Sequence, residues 1–418
     1  MATACYDCVV IGAGPAGCTV AALTAEAGLN TLLVEREQLP RFHVGESLMP
    51  ETYDTFDRLG VLNTLKSSKF VRKYSVAFVG RTGKESQPFF FKDHDPRERS
   101  QTWQVERAQF DKMLFDNAVA KGAKGRDQTR VLDVTFSGER ATGVVVQNNG
   151  GDKVTIGAKV VIDATGLSSL LASRLGVKVV DPNLRKAAIW TYYRGAARDP
   201  GDHGGATIIL HTEDRKSWFW YIPLQDDITS VGVVADNDYL LKGRGTPDET
   251  FAEELARCPG LTGRLAAAER VDKHRVAKEF SYTTSQSAGD GWVLVGDAYG
   301  FIDPIYSSGV YFALKSGEKA ADCIIDAVNS NDTSGDKLGA WQDEFDAGTQ
   351  WIRRLVAAYY NEQFSIGHFM KEHPQHRGNL TDLLIGRIFH EGAGDIFDDM
   401  DEFICKTTSA KSLVDAKS

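Results

Sequence analysis

The stretch Gly12-Ala13-Gly14-Pro15-Ala16-Gly17 restricts the possible folds of this chain more than any other. It follows a short apolar, β-branched run at 6–11 (YDCVVI) and opens an Ala-rich segment at 15–28 that closes on Gly28. Run length predicts a buried strand for the first segment, and the small residues predict a helix for the second. A second strand is expected at 31–35 (TLLVE). Strands joined through one helix in this way must lie parallel, so the chain begins with a βαβ unit. In that setting GxGxxG has a mechanical reading. Gly12 permits a tight turn and Gly14 lets backbone amides approach a pyrophosphate. Gly17, next to Ala16, lets helix and strand pack closely. The helix start offers oriented N–H groups and positive potential to phosphates. Glu35, with Arg36 beside it, closes the second strand, where a carboxylate accepts hydrogen bonds from a ribose diol.

A downstream strand discriminates between dinucleotides. Residues 292–297 (WVLVGD) end in Gly296-Asp297, which places a carboxylate beside a polyol chain. FAD has a ribityl chain and NAD has none, so FAD is the expected cofactor. Asp163-Ala164-Thr165-Gly166 ends another strand and returns a third loop to the nucleotide. Arg107 offers a donor to a phosphate or flavin oxygen, and reads equally well as a surface salt bridge. No second GxGxxG in strand–helix context serves NADPH.

The rest of the chain reads as an α/β protein: a Rossmann-type FAD-binding domain, an inserted, mostly antiparallel β-sheet substrate domain, and C-terminal helices. The expected boundaries are 1–70, 100–180 and 275–330 for the first, 71–99 and 181–274 for the second, and 331–418 for the third. The last dozen residues are polar and expected to fray.

A net charge of -9 argues against nucleic acid or an anionic membrane as partner. No apolar stretch reaches membrane-spanning length and the N-terminus lacks a signal-peptide pattern, so a soluble cytoplasmic protein is expected. The six cysteines are scattered and frame no disulfide set. Cys5-x-x-Cys8 reads as a small residue inside the first strand and another at its mouth. His368, His373, His376 and His390 fit no metal-ligand spacing and are expected at the surface or as caps. No metal is expected.

Two further segments bear on chemistry. In Trp218-Phe219-Trp220-Tyr221-Ile222-Pro223, alternate residues of a strand share a face, so Trp218, Trp220 and Ile222 point one way and Phe219 and Tyr221 the other. Taken alone, these are two aromatic faces of a buried sheet. In Phe301–Gly309, Pro304 fixes a kink, and the amides of Ser308 and Gly309 begin a helix that can hold an anion. Ser307 or Ser308 can also cap a helix beginning at Val310, and both readings can hold together.

GAGPAG, DATG and GDA together resemble the hydroxylase-like branch of the glutathione-reductase-type flavoproteins. WFWYIP resembles the WxWxIP signature of flavin-dependent halogenases, and FIDPIYSSG their FxxPxxSxG motif. His43-Val44-Gly45-Glu46-Ser47-Leu48 looks like their flavin-contacting segment, and LVAAYYNEQF and RGNLTDLLIG resemble the phenol and pyrrole branch. This resemblance implies that His43, Gly45, Glu46 and Ser47 touch the flavin and that Trp218 and Trp220 keep organic substrate away from it. It places halide near Ser307, Ser308 and Gly309, with Pro304 beside the ring. It further implies FADH2 from a separate reductase, O2, and chloride or bromide, with hypohalous acid formed from a flavin C4a-hydroperoxide. The acid would halogenate a small electron-rich aromatic, a phenol or pyrrole, free or tethered to an acyl carrier protein. Lys73 aligns with the lysine that guides the acid, Lys69 being its neighbour. Ser75 stands where that family usually has glycine. Val71, Tyr74, Val76 and Phe78 are the residues that would wall the amine. An FAD-dependent monooxygenase, a prenyl-chain reductase and a catalytically silent flavoprotein remain as alternatives.

Overall fold

The computed structural model describes residues 5–361 and 364–415, without the side chains of 279–280 and 407–415. Its first sheet runs Ala288–Gly289, Trp292–Leu294, Lys153–Asp163, Cys5–Ile11, Thr31–Val34, Lys124–Arg126. The four strands from Trp292–Leu294 to Thr31–Val34 are parallel, with Val10 level with Ile162 on one side and Leu33 on the other. Cys8, Val9, Val10, Leu32 and Leu33 are wholly buried, as expected for strands covered on both faces. A hairpin, Thr129–Ser137 with Arg140–Asn148, extends this sheet from the start of Lys153–Asp163. The first helix, Pro15–Glu26, packs on a later one, Gly309–Asn329. The approach is close enough that a Cβ on Gly317 would lie 2.7 Å from the Ala16 carbonyl oxygen.

The second sheet runs Glu269–Arg270, Lys178–Arg194, Ile228–Asp236, Ser217–Pro223, Thr207–His211, Ser75–Val79, Phe89–Phe90, and Arg275–Thr284 also pairs with Lys178–Arg194. Pairing is antiparallel except between Thr207–His211 and Ser75–Val79.

Three boundaries differ from the expectation. Arg275–Thr284 belongs to the second sheet and not to the nucleotide half, as does the start of Lys178–Arg194. Alternating apolar and polar residues identify a strand but not the sheet that receives it. Val71–Lys73 is not in the second sheet either, since it forms a separate ribbon with Thr102–Gln104.

The C-terminal helices are Gln342–Tyr360, Ile366–Glu372, Arg377–Ile385 and Ile396–Asp415. The segment expected to fray is helical as far as Asp415, and 416–418 lie outside the described residues. Ala410, Lys411 and Leu413 are good helix formers, so a polar composition does not stop the helix there. Among the described residues no helix is long and apolar enough to cross a membrane.

Candidate active site

A cavity of about 390 Å³ is lined from both sheets. At one end lies the glycine turn. Gly12 adopts φ +103°, and a Cβ there would come within 2.4 Å of the Ala164 carbonyl oxygen. A Cβ on Gly17 would come within 1.9 Å of the Gly12 carbonyl oxygen. Both positions therefore demand glycine for packing. Gly14 is different: its nearest neighbour would be Arg41 Nη2 at 4.0 Å, so the space in front of it is open to the cavity. Gly14 is also the N-cap of Pro15–Glu26, with no side chain capping the helix. The free amides and the open space together suit a pyrophosphate.

Glu35 sits at the end of Thr31–Val34. Its Oε2 accepts the Ala13 N–H at 3.0 Å and lies 3.3 Å from Arg41 Nη2, while Oε1 accepts the Glu37 N–H at 3.1 Å. Arg41 Nη1 donates to Asp111 Oδ2 at 2.8 Å. Arg107 also grips Asp111, with Nε donating to Oδ1 at 2.8 Å and Nη2 to Oδ2 at 3.0 Å. Burial pushes the Asp111 carboxyl up, but Arg107 and Arg41 outweigh it and hold the group below the usual range. Arg107 Nη1 donates to the carbonyls of Val44 and Gly45 at 2.7 and 3.2 Å. Arg107 is thus not a surface salt bridge, and it also lines the cavity. It is a buried brace that shapes the 43–47 loop along the cavity wall. Arg36 lines the cavity rim and pairs with Glu37 at 3.5 Å.

His43 Nδ1 lies 2.8 Å from the Val44 carbonyl oxygen. Gly45 takes φ +101° where the loop passes Arg107. Glu46 turns toward the second sheet and accepts the Tyr192 hydroxyl at 2.6 Å. Gly296 donates its N–H to Ser316 Oγ at 2.9 Å and directs Asp297 into the cavity. The Asp297 carboxylate makes no hydrogen bond to any described residue, and burial pushes it up to about 6. A lone carboxylate on a cavity wall is what a polyol chain would satisfy. Asp163, by contrast, is fully engaged by the N–H groups of Thr165 at 3.0 Å and Leu171 at 2.7 Å.

Trp218, Trp220 and Ile222 line the cavity together with Trp190, while Phe219 and Tyr221 face a separate core behind the sheet. Trp220 Nε1 donates to Ser230 Oγ at 3.1 Å and Trp218 Nε1 to the Tyr360 hydroxyl at 2.9 Å. The Tyr360 hydroxyl donates in turn to Asp303 Oδ2 at 2.9 Å, next to Pro304. Pro304, Ile305, Ser307, Gly309 and Val310 line the cavity. The helix after them starts at Gly309 rather than Val310, and neither serine caps it. Ser307 is left-handed at φ +59°, and the buried Ser308 Oγ has no partner among the described residues. The first-turn amides and this hydroxyl form a small donor cluster beside the cavity, chemistry suited to an anion.

Lys73 ends Val71–Lys73 and is 3% exposed. Its Nζ donates to Ser47 Oγ and to the Leu48 carbonyl, both at 2.9 Å. The Phe91 ring lies over the amine, its centroid 6.0 Å away. Burial pushes the amine down to about 7. Lys69 is exposed. Ser75, also buried, donates to or accepts from His203 Nδ1 at 2.9 Å, so it fills its position with a cross-link and not a void.

The FAD binding domain family matches residues 5–329. Over 97% of this chain and 94% of the relative, the sequence is 32% identical to the 1H-pyrrole-2-carbonyl-(peptidyl-carrier protein) chlorinase of Pseudomonas fluorescens. The chain belongs to the flavin-dependent halogenases. This halogenase is also 31% identical to the 1H-pyrrole-2-carbonyl-(peptidyl-carrier protein) brominase of Pseudoalteromonas luteoviolacea, over 92% of both chains. Its fold matches the solved structure of the flavin-dependent brominase Bmp2 with a TM-score of 0.84 and 31% identity, covering 99% of this chain and 100% of that one. It is an FAD-dependent oxidoreductase.

Several residues at the halogenase site carry no local sequence signal: Arg41, Asp111, Trp190 and Thr207, while Asp303 and Tyr360 lie inside quoted motifs without being singled out. Each acts across the fold, and only the three-dimensional path reveals it. Of the late histidines, His376 occupies the N-cap position of Arg377–Ile385, buried, with Nε2 2.8 Å from Asp399 Oδ2. Cys8 is buried in the first strand and Cys5 is exposed, and both are free thiols. Among the described residues the one group with metal-ligating geometry is Glu85, Asp199 and His203. Arg264 already bridges both of its carboxylates, at 2.9 and 2.8 Å, and occupies the place of a cation.

Proposed function

We propose that this halogenase places chlorine or bromine on a pyrrole or phenol ring, with a pyrrole carbonyl thioester on a carrier protein as the favoured substrate class and Lys73 as the residue that aims the oxidant. The observation carrying this reading is the Lys73 amine. It is buried, has no carboxylate beside it, and hydrogen-bonds to Ser47, which itself lines the cavity. A lysine so desolvated exchanges its proton near neutral pH, as a group handling a reactive acid requires. The pyrrole-carrier preference is supported by what the two relatives act on.

Bound FADH2 supplies, with O2 and halide, the hypohalous acid that this chain directs. A separate reductase supplies the FADH2, in keeping with the single GxGxxG turn. The amides around Gly14 hold the pyrophosphate, with Ala16 and Gly17 behind them. Glu35 takes the ribose and Asp297 the ribityl hydroxyls. The 43–47 loop, braced by Arg107, lies along the flavin. The amides at Ser308 and Gly309 with the Ser308 hydroxyl hold the halide, and Ser307 and Pro304 shape the approach. Trp190, Trp218 and Trp220 keep the organic ring out. Lys73 acts on the hypohalous acid through the Ser47 hydroxyl, which lines the cavity, and so turns its halogen toward the ring carbon.

The test supplies a flavin reductase, NADH, FAD and bromide or chloride, and offers phenols, free pyrroles and a carrier-bound pyrrole-2-carbonyl thioester. Halide-dependent mass gain on the thioester supports the reading. Oxygenated product without any halide requirement overturns it.

A further inference from the structure

Lys73 is not on the cavity wall, and the Ser47 hydroxyl, backed by that of Thr207, stands between it and the cavity. Nζ donates to Ser47 Oγ at 2.9 Å, and Ser47 Oγ lies 2.7 Å from Thr207 Oγ1. Ser47 and Thr207 both line the cavity. The other partner of the amine, the Leu48 carbonyl, cannot pass a proton on.

The direction of this chain follows from its far end. Gln104 Nε2 donates to the Gly205 carbonyl at 3.0 Å and to Thr207 Oγ1 at 2.9 Å. The Gly205 carbonyl requires a donor, which orients the Gln104 amide and makes Thr207 Oγ1 an acceptor. The geometry is tight, since a Cβ on Gly205 would lie 1.9 Å from the Arg72 carbonyl oxygen. Ser47 Oγ accepts from Lys73, so its own hydrogen goes to Thr207. Thr207 then accepts from both Gln104 and Ser47. Its hydroxyl hydrogen is the one left over, with no acceptor among the described residues, on a side chain that lines the cavity.

Resting on the halogenase reading, we infer that Ser47 and Thr207 are a proton relay joining Lys73 to oxygen-bearing reactants at the cavity wall. One proton leaves the Lys73 ammonium, each hydroxyl hands one forward, and one arrives on the acceptor oxygen. Hypohalite becomes hypohalous acid, the more electrophilic form, and Lys73 becomes a neutral amine. No electrons move. The relay can act only while Lys73 holds its proton, so it matters most near neutral pH, where ammonium and hypohalite coexist, and fades as pH rises well above 7.

The experiment compares Thr207→Val, which keeps the shape and loses the hydroxyl, with Thr207→Ser, which restores it. In the protein without flavin, the Lys73 side chain is titrated by NMR on 13C-labelled lysine, assigned with Lys73→Met. Thr207→Val frees the Ser47 hydroxyl to donate to the neutral amine, so Lys73 should titrate at lower pH than in the parent, and Thr207→Ser should match the parent. An unchanged titration in Thr207→Val overturns the relay. In the FAD-loaded enzyme, general acid catalysis predicts a loss of halogenation of about tenfold or more for Thr207→Val at pH 7, shrinking toward pH 8.5 as Lys73 loses its proton and toward pH 6 as hypohalite disappears, with FAD affinity retained. Equal rates across pH, or a Thr207→Ser variant as impaired as Thr207→Val, overturn the relay as well. The two readings fail separately. If the parent makes no halogenated product while the titration shifts, the halogenation reading falls and the hydroxyl chain to Lys73 stands.

Discussion

Trp218 donates its indole N–H to the hydroxyl of Tyr360, 142 residues further along the chain, at 2.9 Å. Tyr360 in turn donates to Asp303, whose other oxygen accepts the Ile305 N–H at 3.0 Å. One phenol therefore ties a cavity tryptophan to the 303–309 segment and to the end of the helix Gln342–Tyr360. Lys186 lies over the same ring at 3.8 Å.

Tyr360→Phe should unravel this tie while filling the same space. It leaves a buried indole N–H and a buried carboxylate each short of a partner, so a destabilisation of about 1–3 kcal/mol is expected. Urea unfolding of the two proteins measures it. Burial already pushes Asp303 up to about 6, and losing the Tyr360 bond should raise it further. The loss should therefore be larger at pH 8 than at pH 5, where Asp303 is protonated in both proteins.

Asp297→Asn should separate stability from cofactor affinity. The Asp297 carboxyl titrates at about 6 in the fold, above the 3.8 of a solvated aspartate. The folded state thus holds its proton more tightly than the unfolded chain. The resulting stability is complete below about pH 4 and is lost as pH rises through 6. Asparagine removes the penalty at neutral pH without costing a hydrogen bond. The flavin-free variant should be more stable at pH 7.5 by up to about 3 kcal/mol, and no different below pH 4. FAD affinity should drop. Thermal unfolding and flavin fluorescence titration check the two halves independently.

Gly14→Val should fold and fail to hold FAD. Gly14 has φ -79°, a conformation open to any residue, and a Cβ placed there would have no neighbour closer than 4.0 Å. Valine there occupies the pyrophosphate space. At least tenfold weaker FAD binding, with parental circular dichroism and melting, is expected. Gly17→Ala, whose Cβ would meet the Gly12 carbonyl, should instead lose stability.

Lys73→Met should bind FAD, consume O2 with reduced flavin and release hypohalous acid to a chemical trap, while losing halogenated organic product. Lys69→Ala, on an exposed neighbour, should keep parental product yield. The Lys73 amine titrates at about 7 in the fold, below the 10.5 of a free lysine. Stability from this group is present above pH 10.5 and is lost as pH falls through 7, so methionine should stabilise the protein most near pH 6. Product formation by Lys73→Met equal to the parent would assign the aiming role elsewhere.

The nucleotide half is legible in the sequence because its signals are local. A βαβ unit is written in one run of residues, and Trp218, Trp220 and Ile222 share a face by strand geometry alone. Partnerships between distant segments are not legible in this way. Arg41 looks like any surface arginine until Glu35 and Asp111 are placed on either side of it. Arg107 offers two readings in the sequence, and its partners at Val44, Gly45 and Asp111 show a third. Arg275–Thr284 alternates as a strand should, yet nothing in that alternation names its sheet. The environment of Ser75 depends on His203, which arrives from a turn far along the chain.

The strand order of the first sheet also sets a timetable for synthesis. Cys5–Ile11 leaves the ribosome first, but its partner Lys153–Asp163 is made much later, and Trp292–Leu294 later still. Until then only Thr31–Val34 is there to pair with it. Parallel pairings between strands this far apart in sequence are intrinsically slow to form and leave apolar surface exposed meanwhile. Truncations before residue 294 should therefore yield insoluble material rather than a smaller flavin-binding domain.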